Sequence, residues 1–222
     1  MLIREMWSPN QDVRVGAVRH LVLHYTGMRT GGEALARLCD PVARVSSHYV
    51  VEEDGCVFGL VPEGRRAWHA GVSYWRGETG LNDSSIGIEI VNPGHEWGYR
   101  PFPVLQLAAV LELCLGVIGR HGIAARDVLA HSDIAPTRKQ DPGELFPWGE
   151  FAAEGVGLFP AGYGASGAAG AAELLGEIGY DVADLGAAVA AFQRRYRPAE
   201  VTRVADFQSL GLMDEVCRLT RL

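Results

Sequence analysis

A chain of 222 residues is long enough for one well-buried domain with a small second unit beside it. With 48% hydrophobic and 21% charged residues it has the balance of a soluble globular protein, which excludes a disordered or low-complexity polymer. The formal net charge of -7 argues against a nucleic-acid partner and against a basic grip on an anionic membrane, because both need a surplus of lysine and arginine.

The opening MLIREMWSPNQDVRVGAV reaches Pro9, Asn10, Gln11 and Asp12 before any sizeable apolar run. No secretory leader is therefore expected, and no later stretch reads as long and apolar enough to span a bilayer. Val18 to Tyr25 (VRHLVLHY) is apolar and β-branched enough for a strand, ended by Thr26-Gly27. Ser46 to Glu53 and Cys56 to Val61 flank Asp54-Gly55, a two-residue hairpin signal whose central positions both take positive φ. Ser85 to Val91 alternates cleanly, with Ile86, Ile88 and Ile90 on one face and Gly87, Glu89 and Val91 on the other; Asn92-Pro93-Gly94 breaks it.

From Pro103 to about Arg120, Val104, Leu107, Ala108, Leu111, Leu115 and Ile118 follow helical spacing as the apolar face. Gln106, Glu112 and Arg120 fall on the other side, and Gly122 is the stop. A short strand at Val128 to His131 follows. A helix leading into a strand predicts a partly parallel sheet packed against helices, an α/β fold. The stretch GVGLFPAGYGASGAAG, Gly155 to Gly170, has little to bury and reads as linker, dividing the chain into 1–158, a connection at 159–170, and 171–222. Within it GYGASG fits G-x-G-x-x-G, but no apolar strand precedes it, so it is not a nucleotide loop. Three helices are expected beyond, at Ala171 to Ile178, Leu185 to Tyr196 and Asp206 to about Leu219, each with an apolar face, assembled as a small bundle. Cys39, Cys56, Cys114 and Cys217 form no C-x-x-C pair and read as reduced, buried thiols of a cytoplasmic protein, a periplasmic or exported one being the alternative.

The chemistry gathers on a few residues. His24 and His131 fall near the carboxyl ends of expected strands, where open α/β sheets build their sites, and Asp141 lies ten residues on, in a loop stiffened by Pro136 and Pro142. Two imidazoles and a carboxylate with a fourth position for water are a ligand set for a catalytic zinc ion. Taken singly, each histidine also reads as a core residue and Asp141 as a turn aspartate before proline. Glu89 in SIGIEIV is costly amid so apolar a strand unless it has a partner or a task, such as general base beside an activated water. Lys139, two residues before Asp141, is placed to donate to a developing oxyanion.

LHYT around His24, SSHY at Ser46 to Tyr49, AWHAG at Ala67 to Gly71, LNDSSIGIE at Leu81 to Glu89 and HSDIAPTRKQDPG at His131 to Gly143 together resemble the zinc-dependent N-acetylmuramoyl-L-alanine amidases of the AmpD/AmiD type. The resemblance implies a mixed central β-sheet flanked by helices and one Zn2+ held by His24, His131 and Asp141. It implies catalytic roles for Glu89 and Lys139, and substrate contacts at Tyr25, Arg66, Ala67, Trp68, His69 and Arg138. His48 and His69 are not assigned to the metal. The implied reaction is hydrolysis of the amide between the lactyl group of N-acetylmuramic acid and L-alanine of the stem peptide; the lack of an expected leader and the acidic charge point to the soluble 1,6-anhydro form as substrate. Peptidoglycan fragments are then the partner, with no obligate protein partner evident. Competing expectations are a lytic amidase on intact wall and a non-catalytic peptidoglycan receptor on the same scaffold.

Three positions depart from the pattern: Gly80 where relatives commonly have arginine, Tyr25 where some cytosolic members have asparagine, and Glu144 where proline is usual. LLGEIGYDV and AVAAFQRRYRP in the tail resemble a compact peptidoglycan-binding module, the alternative being a structural helical appendage.

Overall fold

The computed structural model describes residues 2–164 and 169–221; the end of GYGASG and part of the expected linker, residues 165–168, lie outside the described residues. In chain order the elements are β1 (Ile3–Glu5), β2 (Gln11–Val13), β3 (His20–Tyr25), α1 (Gly31–Cys39), β4 (Tyr49–Val51), β5 (Val57–Gly59), β6 (Arg65–Ala67), β7 (Tyr74–Trp75), β8 (Glu78–Thr79) and β9 (Ser85–Ile90). There follow α2 (Gly94–Trp97), α3 (Val104–His121), β10 (Val128–Ala130), α4 (His131–Ile134), α5 (Trp148–Ala153), α6 (Ala171–Ile178), α7 (Leu185–Tyr196) and α8 (Phe207–Thr220).

Six strands form the central sheet in the order β1-β5-β4-β9-β3-β10. All neighbours are parallel except the β4–β5 hairpin, so the sheet is mixed as expected. The alternation of β9 sorts its two faces. Ile86, Ile88 and Ile90 pack with Leu21 and Leu23 of β3 against α3 and α5. The opposite face is covered in two separate places. Near β4, Leu35 and Leu38 of α1 close over Val50, Leu60 and Val91. Near β10, Val22 and Leu129 are covered by α6, α7 and α8 through Leu175, Val189, Phe192 and Met213. His24 and Glu89 are register partners on this face, in the gap between the two coverings.

Several expectations need correction. Glu52 N–H donates to Cys56 C=O and Gly55 N–H to Glu52 C=O, so three residues, 53–55, rather than two connect the hairpin beyond its last backbone bond. Only Gly55 takes positive φ there; Asp54 instead accepts the Cys56 N–H at 2.8 Å. His131 does not end β10 but opens α4.

On α3 the buried face is Gln106, Val110, Leu113, Cys114 and Val117, whereas Val104 and Leu115 are exposed. The helix is apolar nearly all round, so its spacing could not choose a face. Gln106 decides it, because its Nε2 donates to Val51 C=O at 3.0 Å and Val91 C=O at 2.8 Å, at the ends of β4 and β9. Among the described residues α3 is, by length and composition, apolar enough to cross a membrane, contrary to the expectation that no such stretch exists. Here it packs one face on the sheet. All four cysteines are free, but only Cys114 and Cys217 are fully buried. The tail helices match their expected bounds closely and share one continuous apolar core with the sheet.

Glu63 ties the end of α3 to the hairpin. It accepts from Tyr49 O–H at 2.7 Å and Arg120 Nη2 at 2.6 Å, and its other oxygen lies 2.8 Å from His121 Nε2. Burial would raise its pKa, but hydrogen bonds from Arg120, Tyr49 and His121 overcome that and hold it at about 2. A depressed carboxylate stabilises the fold above its unfolded pKa and loses that contribution as pH falls. Glu63→Gln is therefore expected to cost ~2 kcal/mol at pH 7, the gap from wild type closing between about pH 4.5 and 2. Urea melts across that range check it; a pH-independent gap would contradict the assignment.

Candidate metal centre

His24 Nδ1, His131 Nδ1 and Asp141 Oδ2 form a closed triangle with edges of 2.8, 2.9 and 3.2 Å. All three residues are at most 5% exposed. The tautomers follow from what lies behind each ring. His131 Nε2 faces the Ala70 carbonyl at 3.2 Å, which can only accept, so Nε2 carries the proton. His24 Nε2–H donates to His69 Nδ1 at 3.0 Å, His69 Nε2–H donates to Ser85 Oγ at 3.1 Å, and the Ser85 hydroxyl donates to Leu81 C=O at 2.5 Å. Both Nδ1 lone pairs are thus aimed at each other and at a carboxylate. Three hydrogen bonds cannot occupy three edges of so small a triangle, whereas one cation satisfies every corner. A tetrahedral ion with bonds near 2.0–2.2 Å keeps its ligand atoms roughly 3.3 Å apart, so the donor set fits such an ion with little movement.

The electrostatics agree. Burial, then the neighbouring His131, lowers His24 to about 4, so its ring is neutral, the form in which an imidazole can bind a cation. His69 is held well below its usual value by burial and then by His24. Burial alone would raise Asp141; His131 and His24 overcome it and hold the group far below the ordinary carboxylate range. Glu89 goes the other way: burial first and the charge of Asp141 second push it well up, with Lys139 pulling against them. Its Oε2 is shut off from solvent without a hydrogen-bond partner. A cavity of about 200 Å³ opens over the triangle, lined by Tyr25, Trp68, His69, Glu89, Lys139 and Asp141 among others.

The family pattern of N-acetylmuramoyl-L-alanine amidases matches residues 14–144, which contain all of these groups. The chain belongs to that family. It is 37% identical to the N-acetylmuramoyl-L-alanine amidase AmiD of Escherichia coli K12 over 89% of its own length and 81% of that protein's. Identity to the 1,6-anhydro-N-acetylmuramyl-L-alanine amidase AmpD of Citrobacter freundii is 42% over 50% of this chain and 57% of that one. Among solved structures, E. coli AmiD in complex with the substrate anhydro-N-acetylmuramic acid-L-Ala-D-γ-Glu-L-Lys superposes with a TM-score of 0.82 at 35% identity, covering 96% of this chain and 90% of that one. AmpDH3 from Pseudomonas aeruginosa gives the same TM-score at 29% identity, covering 92% and 93%.

The amidase motifs turn out to brace one another. Asn82 Oδ1 accepts from His69 N–H and Ala70 N–H at 3.0 and 2.7 Å, and Ser46 Oγ accepts from Trp68 N–H at 2.9 Å. His48 Nδ1 accepts from Gly87 N–H at 2.9 Å. Of the expected substrate contacts, Tyr25, Trp68 and His69 line the cavity over the triangle. Three others do not. Arg66 turns away to pair with Asp12, Ala67 is wholly buried on β6, and Arg138 donates to Ala70 C=O and Val72 C=O beside a neighbouring cleft of about 700 Å³. His69 has both ring nitrogens engaged inside the protein, so it offers substrate no polar atom.

Sequence reasoning missed Ser85 and Asn82 as supports, although both stand within LNDSSIGIE. It also missed His95, whose Nδ1 accepts from Tyr25 O–H at 3.0 Å while Nε2 donates to both Glu144 oxygens at 3.1 Å, linking Tyr25 to Glu144.

Gly87 is required by this arrangement, because a Cβ there would lie 2.5 Å from His69 Cγ and Nδ1. Gly87→Ala is expected to displace His69 and to cost about 1–3 kcal/mol, the range for overpacking. Denaturant melts and a crystal structure check this; an unmoved ring at unchanged stability would contradict it.

Proposed function

We propose that this chain is a zinc hydrolase that cleaves the amide between the lactyl group of N-acetylmuramic acid and L-alanine of the stem peptide. The observation that carries the reading is the buried triangle of His24, His131 and Asp141 with Glu89, whose Oε2 has no hydrogen-bond partner, one strand away. When bound there, a zinc ion polarises the scissile carbonyl and makes water nucleophilic near neutral pH.

The chain's own residues do the rest. Glu89 takes a proton from the attacking water as its oxygen bonds to the carbonyl carbon, and passes it to the amine as the C–N bond breaks. A carboxylate whose pKa is raised by burial is suited to hold that proton between the two steps. Lys139 supplies positive charge to the carbonyl oxygen as the carbon becomes tetrahedral and negative charge gathers on that oxygen, a contribution of a few kcal/mol in comparable sites. Tyr25 and Trp68 line the cavity over the triangle and are its substrate contacts.

The substrate is read as the soluble 1,6-anhydro-muropeptide. AmpD relatives are named for that ring, and the AmiD structure holds an anhydro-muropeptide. Four unpaired thiols favour a reducing compartment, so the reaction is assigned to wall-fragment recycling in the cytoplasm. A lytic amidase on intact wall is the second reading, favoured by the tail's resemblance to a wall-binding module; on it, residues 171–222 are a binding unit joined through 159–170.

Glu89→Ala is expected to keep its zinc while kcat falls by ~10²–10⁴. Full activity in that variant removes Glu89 from the reaction. Asp141→Ala is expected to lose zinc on dialysis at least tenfold faster; unchanged stoichiometry would remove it from the ligand set. Mass spectrometry of products from soluble anhydro-muropeptide and purified sacculi separates the two substrates, and faster turnover of sacculi would overturn the recycling assignment.

A further inference from the structure

His131 opens α4, a helix of only four residues, too short to hold itself by its own hydrogen bonds. What holds it is Asp133, which is wholly buried. One oxygen of Asp133 accepts from Ala130 N–H at 2.8 Å, bracing the helix start around His131. The same oxygen accepts from Arg195 Nη1 at 2.6 Å, and the other accepts from Tyr180 O–H at 2.7 Å.

Both of those partners come from the C-terminal helices, Arg195 on α7 and Tyr180 just after α6. Arg195 is as buried as the carboxylate, at 3% side-chain exposure against 0%. Its guanidinium lies 4.0 Å over the Trp148 ring, and Nη1 also donates to Val128 C=O at 3.1 Å. One cation therefore joins the strand that leads to His131 with the helix that starts there. A buried carboxylate at such a place needs a charged partner, and the amidase portion alone does not supply this one. Displacement would spread, because Ser132 N–H donates to Asp141 C=O at 3.0 Å and so couples the two ligand segments.

We propose that the C-terminal helices clamp the metal centre: Arg195, with Tyr180, fixes Asp133 and through it the backbone that aims His131 Nδ1 at His24 and Asp141. Arg195 touches neither substrate nor ligand atom and is a positioning residue. The inference rests on the zinc hydrolase reading. On it, the tail serves the metal site even when the substrate is a soluble fragment with no wall to grip.

The test uses the full-length protein in four forms besides wild type: Tyr180→Phe, Arg195→Lys, Arg195→Met, and Met213→Ala. The last lies in the same helical core without contacting Asp133 and controls for general loosening. Zinc affinity is read by competition with a chelator, ligand geometry by visible absorption of the cobalt-substituted protein, and folding by thermal melts of the apo forms.

Tyr180→Phe is expected to weaken zinc binding about 10-fold and Arg195→Met about 100-fold, with Arg195→Lys between wild type and Arg195→Met. Met213→Ala should lower the melting temperature while zinc affinity stays within about twofold of wild type. Wild-type affinity and cobalt spectra in Tyr180→Phe and Arg195→Lys overturn the proposal, as does a loss of affinity in Met213→Ala equal to that in Tyr180→Phe. If Arg195→Met does not fold, the comparison of Tyr180→Phe with Met213→Ala decides. Should wild type hold no zinc at all, the hydrolase reading fails separately. The clamp is then judged in apo protein by the NMR signal of the His131 Nε2 proton against Ala70 C=O, and an unchanged signal in Tyr180→Phe counts against it.

Discussion

Two imidazole lone pairs and a carboxylate oxygen, crowded together and almost wholly buried, repel one another unless a cation sits among them. Holding them there without a cation requires that each ring be prevented from turning its N–H inward. The chain from His24 through His69 and Ser85 to the Leu81 carbonyl does this for one ring, and the Ala70 carbonyl does it for the other. Donors of this kind need their outward nitrogens fixed as much as their inward ones, since ring orientation and basicity are both set from behind. The proton assignments along His24, His69 and Ser85 are mutually consistent, and each depends on the next.

The sheet provides the place. Because strand residues alternate, β3 and β9 put their isoleucines and leucines on the α3 side and leave His24, Gly87 and Glu89 on the other. That second face is divided between α1 and the C-terminal helices, and the uncovered strip between them is where the polar groups stand. A glutamate tolerates this strip because the cavity gives it something to face. Gly87 leaves room for the His69 ring, so the absence of one side chain is as much a part of the site as the presence of its neighbours.

Much of this was legible in the sequence, for identifiable reasons. β3, β9, α6 and α7 carry clean periodicity, and the strand ends near His24 and His131 follow from it. The face of α3 was not legible, since a helix apolar on nearly all sides leaves the choice to Gln106, a polar residue that reads as solvent-facing until its bonds to the carbonyls of Val51 and Val91 are seen. The strands β1, β2, β6, β7 and β8 are two or three residues long, too short for any period to show. The hairpin was misjudged because the number of loop residues depends on where pairing stops, not on Asp54-Gly55 alone. Arg66, Ala67 and Arg138 stand in motifs that build the site, yet proximity in sequence to Trp68 or Lys139 does not fix where a side chain points. Partners such as Asp133 and Arg195, 62 residues apart, leave no local trace.

The central claim is that His24, His131 and Asp141 bind one ion together. Anomalous diffraction at the zinc edge from crystals of protein purified without added metal tests this most directly. The account predicts a single strong peak about 2.0–2.2 Å from His24 Nδ1, His131 Nδ1 and an oxygen of Asp141. A triangle that remains hydrogen-bonded and free of anomalous density in catalytically active crystals would contradict it.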